Sequence, residues 1–422
     1  MHNLKIAVIG LGYVGLPLAT SLSNFFNVIG YDVNALRIKE LLSGLDRTEE
    51  VKKKSLKNKN ISFTNRKKDL VNCGIYIITV PTPVNKKNTP DLKNLILATK
   101  TVAKNLACNN VVIYESTVYP GCTDDICIPL LEKYSRLKIN IDFFVGYSPE
   151  RIDPGVSKFK LKNQIKIISA SNNKSLKILK FIYSKIINKK LYAVENIKTA
   201  EASKIIENTQ RDINIAFMNE VAMLFKKLNI NTNQVLNAAK TKWNFLDFKP
   251  GLVGGHCIGV DPYYLMHKAK KIGFNSKIIT AGRKVNDKIP NFIFSEIIKI
   301  CRIKQINFKK LKVLFLGVAF KENCMDCRNS KAIELLQLIN MKNNSTEVYD
   351  PVVNKSDFLK NFRIKLLDNI YKKNYYDLII VAVPHKQIKK IGLKKIKKFG
   401  KKELIIFDIK SIFKKSQVQW QL

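Results

Sequence analysis

Two glycine-rich stretches, far apart in the chain, carry residue types that together could oxidise an alcohol. The first runs from Lys5 to Gly15 and joins a strand pattern to glycines at the G-x-G-x-x-G spacing of dinucleotide loops. The second, Gly254 to Asp261, places the thiol of Cys257 among glycines, with a carboxylate four residues on. A hydride-accepting cofactor and a cysteine that captures the resulting carbonyl would carry an alcohol past the aldehyde to the acid.

The first stretch has the order of strand, loop, helix, strand and acid that a dinucleotide site requires. Gly10 would allow the tight turn, Gly12 would let the backbone approach a pyrophosphate, and Gly15 would let the next helix pack closely. Asp32 ends the second strand pattern, where a carboxylate accepts from both ribose hydroxyls and repels a 2′-phosphate. This pattern predicts NAD as the cofactor; the alternative is a glycine turn with a structural role.

The surroundings of Cys257 favour a reactive thiol over a structural one. It lies between Gly255 and Gly259, whereas a structural cysteine more often has leucine or β-branched neighbours. A nucleophilic thiol needs an open backbone and polar surroundings. The carboxylate of Asp261 and a cofactor site in the same chain therefore favour catalysis.

A long helix predicted over Thr199–Leu228 carries one polar stripe. Its members are spaced by three, four and three residues and so share a face: Glu201, Lys204, Asn208 and Arg211. Two interpretations stay open. The stripe is either a solvated charged face, or a cation and an amide presented to an oxyanion, with Arg211 near an anionic or polar ligand group.

Polar residues also follow two predicted strands of the first sheet. Glu115–Thr117 and Ser148–Arg151 both fall at its carboxyl edge, where ligands bind in such sheets. Short side chains there can contact nicotinamide or place a water, and Glu150 could be a general base. The alternative is a helix cap at Ser116 or Thr117 and a surface turn at Pro149.

Strand and helix patterns alternate at both ends of the 422-residue chain and give way to helices between them. We predict an α/β protein with two Rossmann-like doubly wound parallel-sheet domains, joined by a central helical domain with one long helix. The predicted boundaries are 1–198, 199–302 and 303–422. The second sheet lacks the G-x-G-x-x-G loop, so it need not bind a dinucleotide.

The composition bounds the classes of function. A net charge of +41 suggests nucleic acid, but the lysines are spread along the chain in asparagine-rich company, as codon bias would give. Eight cysteines without framework spacing indicate a reducing cytoplasm. Cys324 and Cys327 form one C-x-x-C pair, and with only four histidines we expect no metal site. Glycines and Pro17 in the apolar run Ile6–Leu22 argue against a signal or membrane segment, so we expect a soluble protein.

With these residues in hand, the chain resembles the UDP-glucose/GDP-mannose dehydrogenase family from end to end. The matching segments are IAVIGLGYVGLPLA, TVPTPV, ESTVYPG, GYSPERIDPG, AEASKIIENTQRDINIAFMNE, GGHCIGVDPYYL and LGVAFKENCMDCRNS. The loop GGHCIGVDP looks like the branch that oxidises UDP-N-acetylhexosamines. YESTVYPGCT and GLDRT look like the UDP-N-acetylglucosamine and UDP-N-acetylgalactosamine 6-dehydrogenases of O-antigen and Vi-type capsule pathways. Cys327 departs from the family, which usually has an aliphatic residue there.

The resemblance implies a role for each matching residue. Cys257 would hold the covalent intermediates, Lys204 and Asn208 would steady the oxyanion, Asp261 and Thr117 would position a water, and Glu150 would serve thioester hydrolysis. The cofactor, NAD, would be held by Gly10, Gly12, Tyr13, Val14, Gly15, Asp32, Arg37, Pro81, Thr82, Ser116, Thr117 and Arg328. The substrate would be held by Glu150, Arg151, Lys204, Asn208, Arg211, Gly254, Arg283 and Lys321.

The resemblance therefore implies a four-electron oxidation of a C6 alcohol to a uronic acid by a cytoplasmic homodimer, with the UDP-sugar on the C-terminal sheet. We expect no nucleic acid or membrane partner. Three rivals stay open: a UDP-glucose 6-dehydrogenase, a two-electron β-hydroxyacid-type dehydrogenase with a lysine acid/base, and a non-catalytic nucleotide- or nucleic-acid-binding protein. Counting the NADH formed per substrate separates four-electron oxidation, which gives two, from two-electron oxidation, which gives one.

Overall fold

The computed structural model describes residues 4–85, 87–151 and 161–422. These residues form two compact units. Unit 1 comprises the described residues within 1–207 and 263–274, and unit 2 comprises residues 208–262 and 275–422. The predicted boundaries at 198 and 302 remain a proposal about which segments fold independently. In the described residues no helix is long and apolar enough to cross a membrane.

Unit 1 is built on an eight-stranded sheet with the order β3-β2-β1-β4-β5-β6-β7-β8. All neighbouring strands are parallel except β6 and β7, which pair antiparallel. The strands are Lys5–Ile9 (β1), Asn27–Tyr31 (β2), Ile61–Thr64 (β3), Ile75–Ile78 (β4), Val111–Tyr114 (β5), Phe144–Tyr147 (β6), Lys166–Ala170 (β7) and Leu191–Ala193 (β8).

Unit 2 holds a five-stranded, wholly parallel sheet with the order β10-β9-β11-β12-β13. Its strands are Val313–Leu316 (β9), Thr346–Tyr349 (β10), Tyr376–Val381 (β11), Gly400–Asp408 (β12) and Trp420–Gln421 (β13). In both sheets the central strands are apolar runs without alternation, because helices cover both faces. Ile6 to Ile9, for example, are at most 2 % exposed.

Thirteen α-helices lie in the described residues, and two of them are unusually long. The helices are Gly15–Leu22 (α1), Ala35–Leu42 (α2), Lys53–Leu56 (α3), Lys93–Ala103 (α4), Ile128–Ser135 (α5), Asn173–Ile186 (α6), Ile197–Lys227 (α7), Thr232–Ala239 (α8), Asp261–Lys271 (α9), Lys277–Ile303 (α10), Lys331–Asn340 (α11), Lys355–Phe362 (α12) and Lys386–Phe399 (α13). The division between the units falls within α7.

The predicted fold class is confirmed: two Rossmann-like sheets flank a helical stretch that contains the long helix α7. The structure adds three strands that the apolar runs did not predict, namely β3, β8 and β13. Each is an edge strand or a very short one, so its sequence carries little hydrophobic signal. Helix α10 begins at Lys277 and passes through Pro290.

Candidate functional site

The glycine loop of unit 1 is closed by direct backbone packing. A Cβ on Gly15 would lie 1.9 Å from the carbonyl oxygen of Gly10, so the first turn of α1 can approach β1 only with glycine there. A Cβ on Gly12 would meet nothing within 4 Å. That open space leaves the loop backbone approachable by a phosphate, with the N-terminus of α1, including Tyr13 and Val14, directly behind it.

The acid predicted to hold ribose also shapes this loop. Asp32 follows β2 and its carboxylate accepts from the N–H groups of Leu11 and Asn34, each at 2.9 Å. Arg37 is buried, donates to the Leu11 carbonyl at 3.0 Å and pairs with Asp46 at 2.8 Å. The structure thus gives Arg37 a role in fixing the loop, and its predicted contact with adenosine ribose stays a prediction.

The other predicted cofactor residues of unit 1 lie at the carboxyl ends of β4 and β5. The Ser116 hydroxyl donates to the Val80 carbonyl at 2.7 Å, and the Thr82 hydroxyl donates to the Thr117 carbonyl at 2.6 Å. Pro81 lies between these two links and is exposed. The edge is therefore a connected set of short polar groups, as the strand-end positions predicted.

Glu150 follows β6 at the same edge and is mostly buried. Its carboxylate accepts from the Arg151 N–H at 2.7 Å and pairs with Lys166 at 3.0 Å. The Arg151 guanidinium pairs with Glu207 at 2.7 Å. A crevice of about 10 Å³ beside Glu150 has room for one water molecule. Part of the predicted GYSPERIDPG motif, residues 152–155, lies outside the described residues.

The polar stripe of α7 is not a uniform solvated face. Glu201 is fully buried and accepts from the N–H groups of Gly121 and Thr123, while burial raises the pKa of Glu201 to about 7. Lys204 is buried too, whereas Arg211 is exposed. The stripe is therefore packed at Glu201 and Lys204 and open to solvent at Arg211.

In unit 2 the stripe continues into the cysteine loop. The Asn208 amide donates to the Asp261 carboxylate at 2.5 Å. Asp261 begins α9, and its N–H donates to the Cys257 carbonyl at 2.8 Å, so the thiol lies one turn before the helix. Cys257 itself is half-buried, neither sealed in apolar packing nor fully exposed. The sequence prediction of an accessible thiol beside a carboxylate is consistent with this geometry.

Glycine is required where this loop meets the loop after β9. A Cβ on Gly254 would lie 2.3 Å from the Asn329 carbonyl oxygen, and the Gly255 N–H donates to that same oxygen at 3.1 Å. The backbone of the cysteine loop is thus anchored on the second sheet.

A cavity of about 320 Å³ opens in unit 2 beside this loop. Gly254 and Ile258, which flank Cys257 in sequence, line it, together with Lys249, Lys321 and Lys410. Burial and the charges of Lys249 and Lys389 lower the pKa of Lys410, although the Glu322 carboxylate opposes them. An anionic ligand would compensate this concentration of positive charge. Sequence reasoning had identified Lys321 and Gly254 but missed Lys249 and Lys410.

One carboxylate, that of Glu322, is among the described residues that line the cavity, and Lys389 pairs with it at 2.6 Å. Among the described residues, no three His, Cys, Asp or Glu side chains gather as a metal-binding group. The polar character of the cavity therefore comes mainly from its lysines.

Two arginines that were predicted to contact a ligand form ion pairs with carboxylates of unit 2. Arg283 is 2 % exposed and pairs with Asp212 and Asp287, each at 2.5 Å. Arg328 pairs with Asp326 at 2.5 Å, and although burial opposes it, hydrogen bonds from His256 and Arg328 lower the pKa of Asp326. Both arginines would have to share or exchange these carboxylates to bind a ligand, so their predicted roles stay predictions.

Comparison with known proteins gives one consistent result. Three family models match in order: the UDP-glucose/GDP-mannose dehydrogenase family NAD binding domain over residues 4–187, its central domain over 198–288 and its UDP binding domain over 314–415. The UDP-N-acetyl-D-glucosamine 6-dehydrogenase of Salmonella typhi is 46 % identical over 99 % of this chain and 98 % of its own. Protein CapL of Staphylococcus aureus is 46 % identical over the full length of both.

Among solved structures, the UDP-D-ManNAc dehydrogenase of Pyrococcus horikoshii superposes with a TM-score of 0.90 at 30 % identity, covering 99 % of this chain and 98 % of its own.

The glycine loop yields a prediction that separates folding from binding. Gly15→Ala should lower the stability of the protein without NAD by about 1–3 kcal/mol, because the added Cβ overlaps the Gly10 carbonyl. Gly12→Ala should leave that stability unchanged and still weaken NAD binding, because its methyl group enters the open space. Thermal unfolding and NAD titration of both variants provide the measurement. Equal melting temperatures for the two variants would contradict the assigned packing.

Proposed function

The chain belongs to the UDP-glucose/GDP-mannose dehydrogenase family, and from that premise we propose that it oxidises the C6 alcohol of a UDP-N-acetylhexosamine to the uronic acid. It is an NAD-dependent nucleotide-sugar dehydrogenase. The observation that carries the proposal is the half-buried Cys257 on a glycine loop whose neighbours line a lysine-rich cavity. A thiol and an anion site in one unit are what a UDP-sugar and its covalent capture require.

The choice of sugar rests on the relatives. Two of those at 44–46 % identity are named UDP-N-acetyl-D-glucosamine 6-dehydrogenases. This supports UDP-GlcNAc or its C4 epimer UDP-GalNAc as substrate, over UDP-glucose. The lysines of the unit 2 cavity, Lys249, Lys321 and Lys410, would face the diphosphate, and Gly254 would let it approach the loop backbone.

The chemistry divides into capture and release. NAD, when bound on the unit 1 glycine loop, supplies the hydride acceptor for each of the two oxidations. The Cys257 thiolate attacks the C6 aldehyde to give a thiohemiacetal, whose oxidation leaves a thioester. Lys204 and Asn208, one turn apart on α7, would stabilise negative charge on the C6 oxygen. Such a contact is worth roughly 3 kcal/mol of barrier in a water-poor site.

Release requires water and a base. Asp261 and Thr117 would position the water, and the Glu150 carboxylate would take its proton as the thioester is cleaved. The acid leaves and the Cys257 thiol is regenerated. In total one sugar alcohol and one water give the uronic acid, with two NAD reduced.

A homodimer is part of the proposal. Helix α7 and the residue that follows it expose an apolar row in unit 2, with Phe217, Leu224 and Leu228 each more than half exposed. Spacings of seven and four residues, and the hydrogen bond from the Leu228 N–H to the Leu224 carbonyl, place the three on one face. A row of this kind on a 31-residue helix fits a self-complementary helix contact between two copies.

Replacing the thiol tests the mechanism. Cys257→Ala should bind NAD normally but form no uronic acid, because neither covalent intermediate can form. NADH formed per sugar consumed, followed with a panel of UDP-sugars, should be two for the native chain. Cys108→Ala, which removes an exposed thiol, is the matched control. Two NADH per sugar from the Cys257→Ala protein would sink the proposed role.

Replacing a cavity lysine tests the anion site. Lys410→Met should weaken UDP binding on the order of tenfold or more, because a charge-assisted contact is lost. Calorimetric titration at low and high salt measures it. Lys402→Met, which changes an exposed lysine of β12, the strand that precedes Lys410, is the control. Equal affinity in the two variants would place the diphosphate elsewhere.

Replacing one residue of the apolar row tests the dimer. Leu224→Glu should convert a dimer to a monomer in sedimentation velocity, because a carboxylate buried at a helix contact is left without a partner. Met341→Glu changes a more exposed apolar residue of unit 2 and should leave the assembly intact. A monomeric native chain, or an unaffected Leu224→Glu dimer, would rule out this surface.

A further inference from the structure

Behind Glu150, unit 1 buries a second carboxylate, an ammonium group and a phenol. Glu115 follows β5, Lys166 begins β7, and Tyr183 lies on α6. Each of these three side chains is at most 4 % exposed. Such groups are rarely buried together unless they satisfy one another.

The four side chains form one connected network with Lys166 at its centre. The Lys166 ammonium donates to Glu115 and to Glu150, each at 3.0 Å. The second oxygen of Glu115 accepts from the Tyr183 hydroxyl, and the Lys166 ammonium lies 5.2 Å from the centre of the Tyr183 ring. One positive charge is therefore shared between two carboxylates.

The charges in this network do not balance if both carboxylates are ionised. Burial raises the pKa of Glu115 to about 7, with Lys166 opposing that rise and the charge of Glu150 adding to it. Burial acts to lower the pKa of Lys166, but Glu115 and Glu150 outweigh it and raise that pKa. The ammonium is thus held charged, and Glu115 is the carboxylate that competes for it.

The other charged groups near Glu150 are already committed. The Arg151 backbone N–H donates to the Glu150 carboxylate, while the Arg151 guanidinium pairs with Glu207 of α7 and donates to the Ile165 carbonyl. Burial, the charges of Glu115 and Glu150 and a hydrogen bond to Glu115 raise the pKa of Tyr183, so its phenol stays neutral. Within the described contacts, the ammonium that pairs with Glu150 is that of Lys166.

We propose that Lys166 and Glu115 are positioning residues for Glu150: the shared ammonium keeps Glu150 anionic as the base of thioester hydrolysis, and Glu115 limits how much of that charge Glu150 receives. This inference rests on the role given to Glu150 in the proposed function. It assigns work to Glu115, which sequence reasoning had placed at the ligand edge without a function, and to Lys166, which it had not singled out.

The direction of each effect follows from charge. Removing Lys166 takes away a positive charge 3.0 Å from Glu150, which favours the protonated carboxyl and moves its titration to higher pH. Where Glu115 is ionised, above about pH 7, removing its charge takes away a competitor for the ammonium; at lower pH Glu115 is already protonated, so Glu115→Gln should leave the titration of Glu150 little changed. A purely structural role of Lys166 would lower rates at every pH and would not move the Glu150 midpoint.

The test measures the Glu150 carboxyl directly and does not need turnover. The protein is labelled with carbon-13 in the glutamate carboxyl, and the Glu150 signal is assigned by its loss in Glu150→Gln. The midpoint should rise by about one pH unit in Lys166→Met and stay near the native value in Lys166→Arg and in Glu115→Gln, which resembles protonated Glu115. Lys180→Met, an exposed lysine on α6, should change nothing.

Kinetics provide the second readout. The acidic limb of thioester hydrolysis, followed by intact-protein mass spectrometry of Cys257, should move with the midpoint, giving about tenfold slower hydrolysis for Lys166→Met one pH unit below the native limb. If Lys166→Met does not fold, the double variant Lys166→Met with Glu115→Gln decides, since it removes the ammonium without leaving the second buried carboxylate unpaired. A Glu150 midpoint that does not move when the Lys166 ammonium is removed overturns the inference. Moved midpoints with no thioester on the native protein support charge control and overturn the proposed function alone.

Discussion

The feature on which the rest of unit 2 depends is a contact between two backbones. The cysteine loop passes so close to the loop after β9 that the Asn329 carbonyl occupies the space of a side chain at Gly254 and accepts from the Gly255 N–H. This contact fixes where the next residues begin α9, and so where Cys257 is presented. A nucleophile gains most from being held in one geometry, and a backbone anchor has few torsions to relax. The position of the thiol is therefore a consequence of how the second sheet folds.

The two sheets use the same acid in opposite ways. In unit 1, Asp32 accepts from the N–H groups of its own glycine loop and keeps part of its surface exposed. In unit 2, Asp350 accepts from the Val318 N–H at 2.7 Å and faces the buried His385 at 3.0 Å. The His385 ring accepts from the Asn323 N–H at 2.8 Å, so the acid is sealed. The carboxylate of the first sheet is accessible to a ribose, whereas the carboxylate of the second sheet is buried and bonded to its own loop and to His385.

The sequence predicted the local parts of the site better than the distant ones. The loop after β1, Asp32 and the surroundings of Cys257 are each specified within a few neighbouring residues, so glycine spacing and strand-end acids were enough. Lys166 and Lys410 stand out only through their contacts with residues that are far away in the sequence. Nothing in their own neighbourhood distinguishes them in a chain with 74 lysines and arginines. The antiparallel pairing of β6 with β7 was not predicted for the same reason, since the direction of a strand in its sheet is decided by long-range packing.

The same reasoning assigns a meaning to the large net charge. Exposed lysines are screened over about 8–10 Å, so most of the +41 acts as a diffuse field. The buried cations Arg37, Lys166 and Arg283 each face a carboxylate and contribute little net charge to a ligand. Lys410 differs in degree: Glu322 raises its pKa, but burial together with the charges of Lys249 and Lys389 outweighs that carboxylate and lowers the pKa. A diphosphate would relieve the repulsion among these lysines directly. Specific attraction therefore depends on the few lysines that line the unit 2 cavity, and a chain with half the basic residues could retain it.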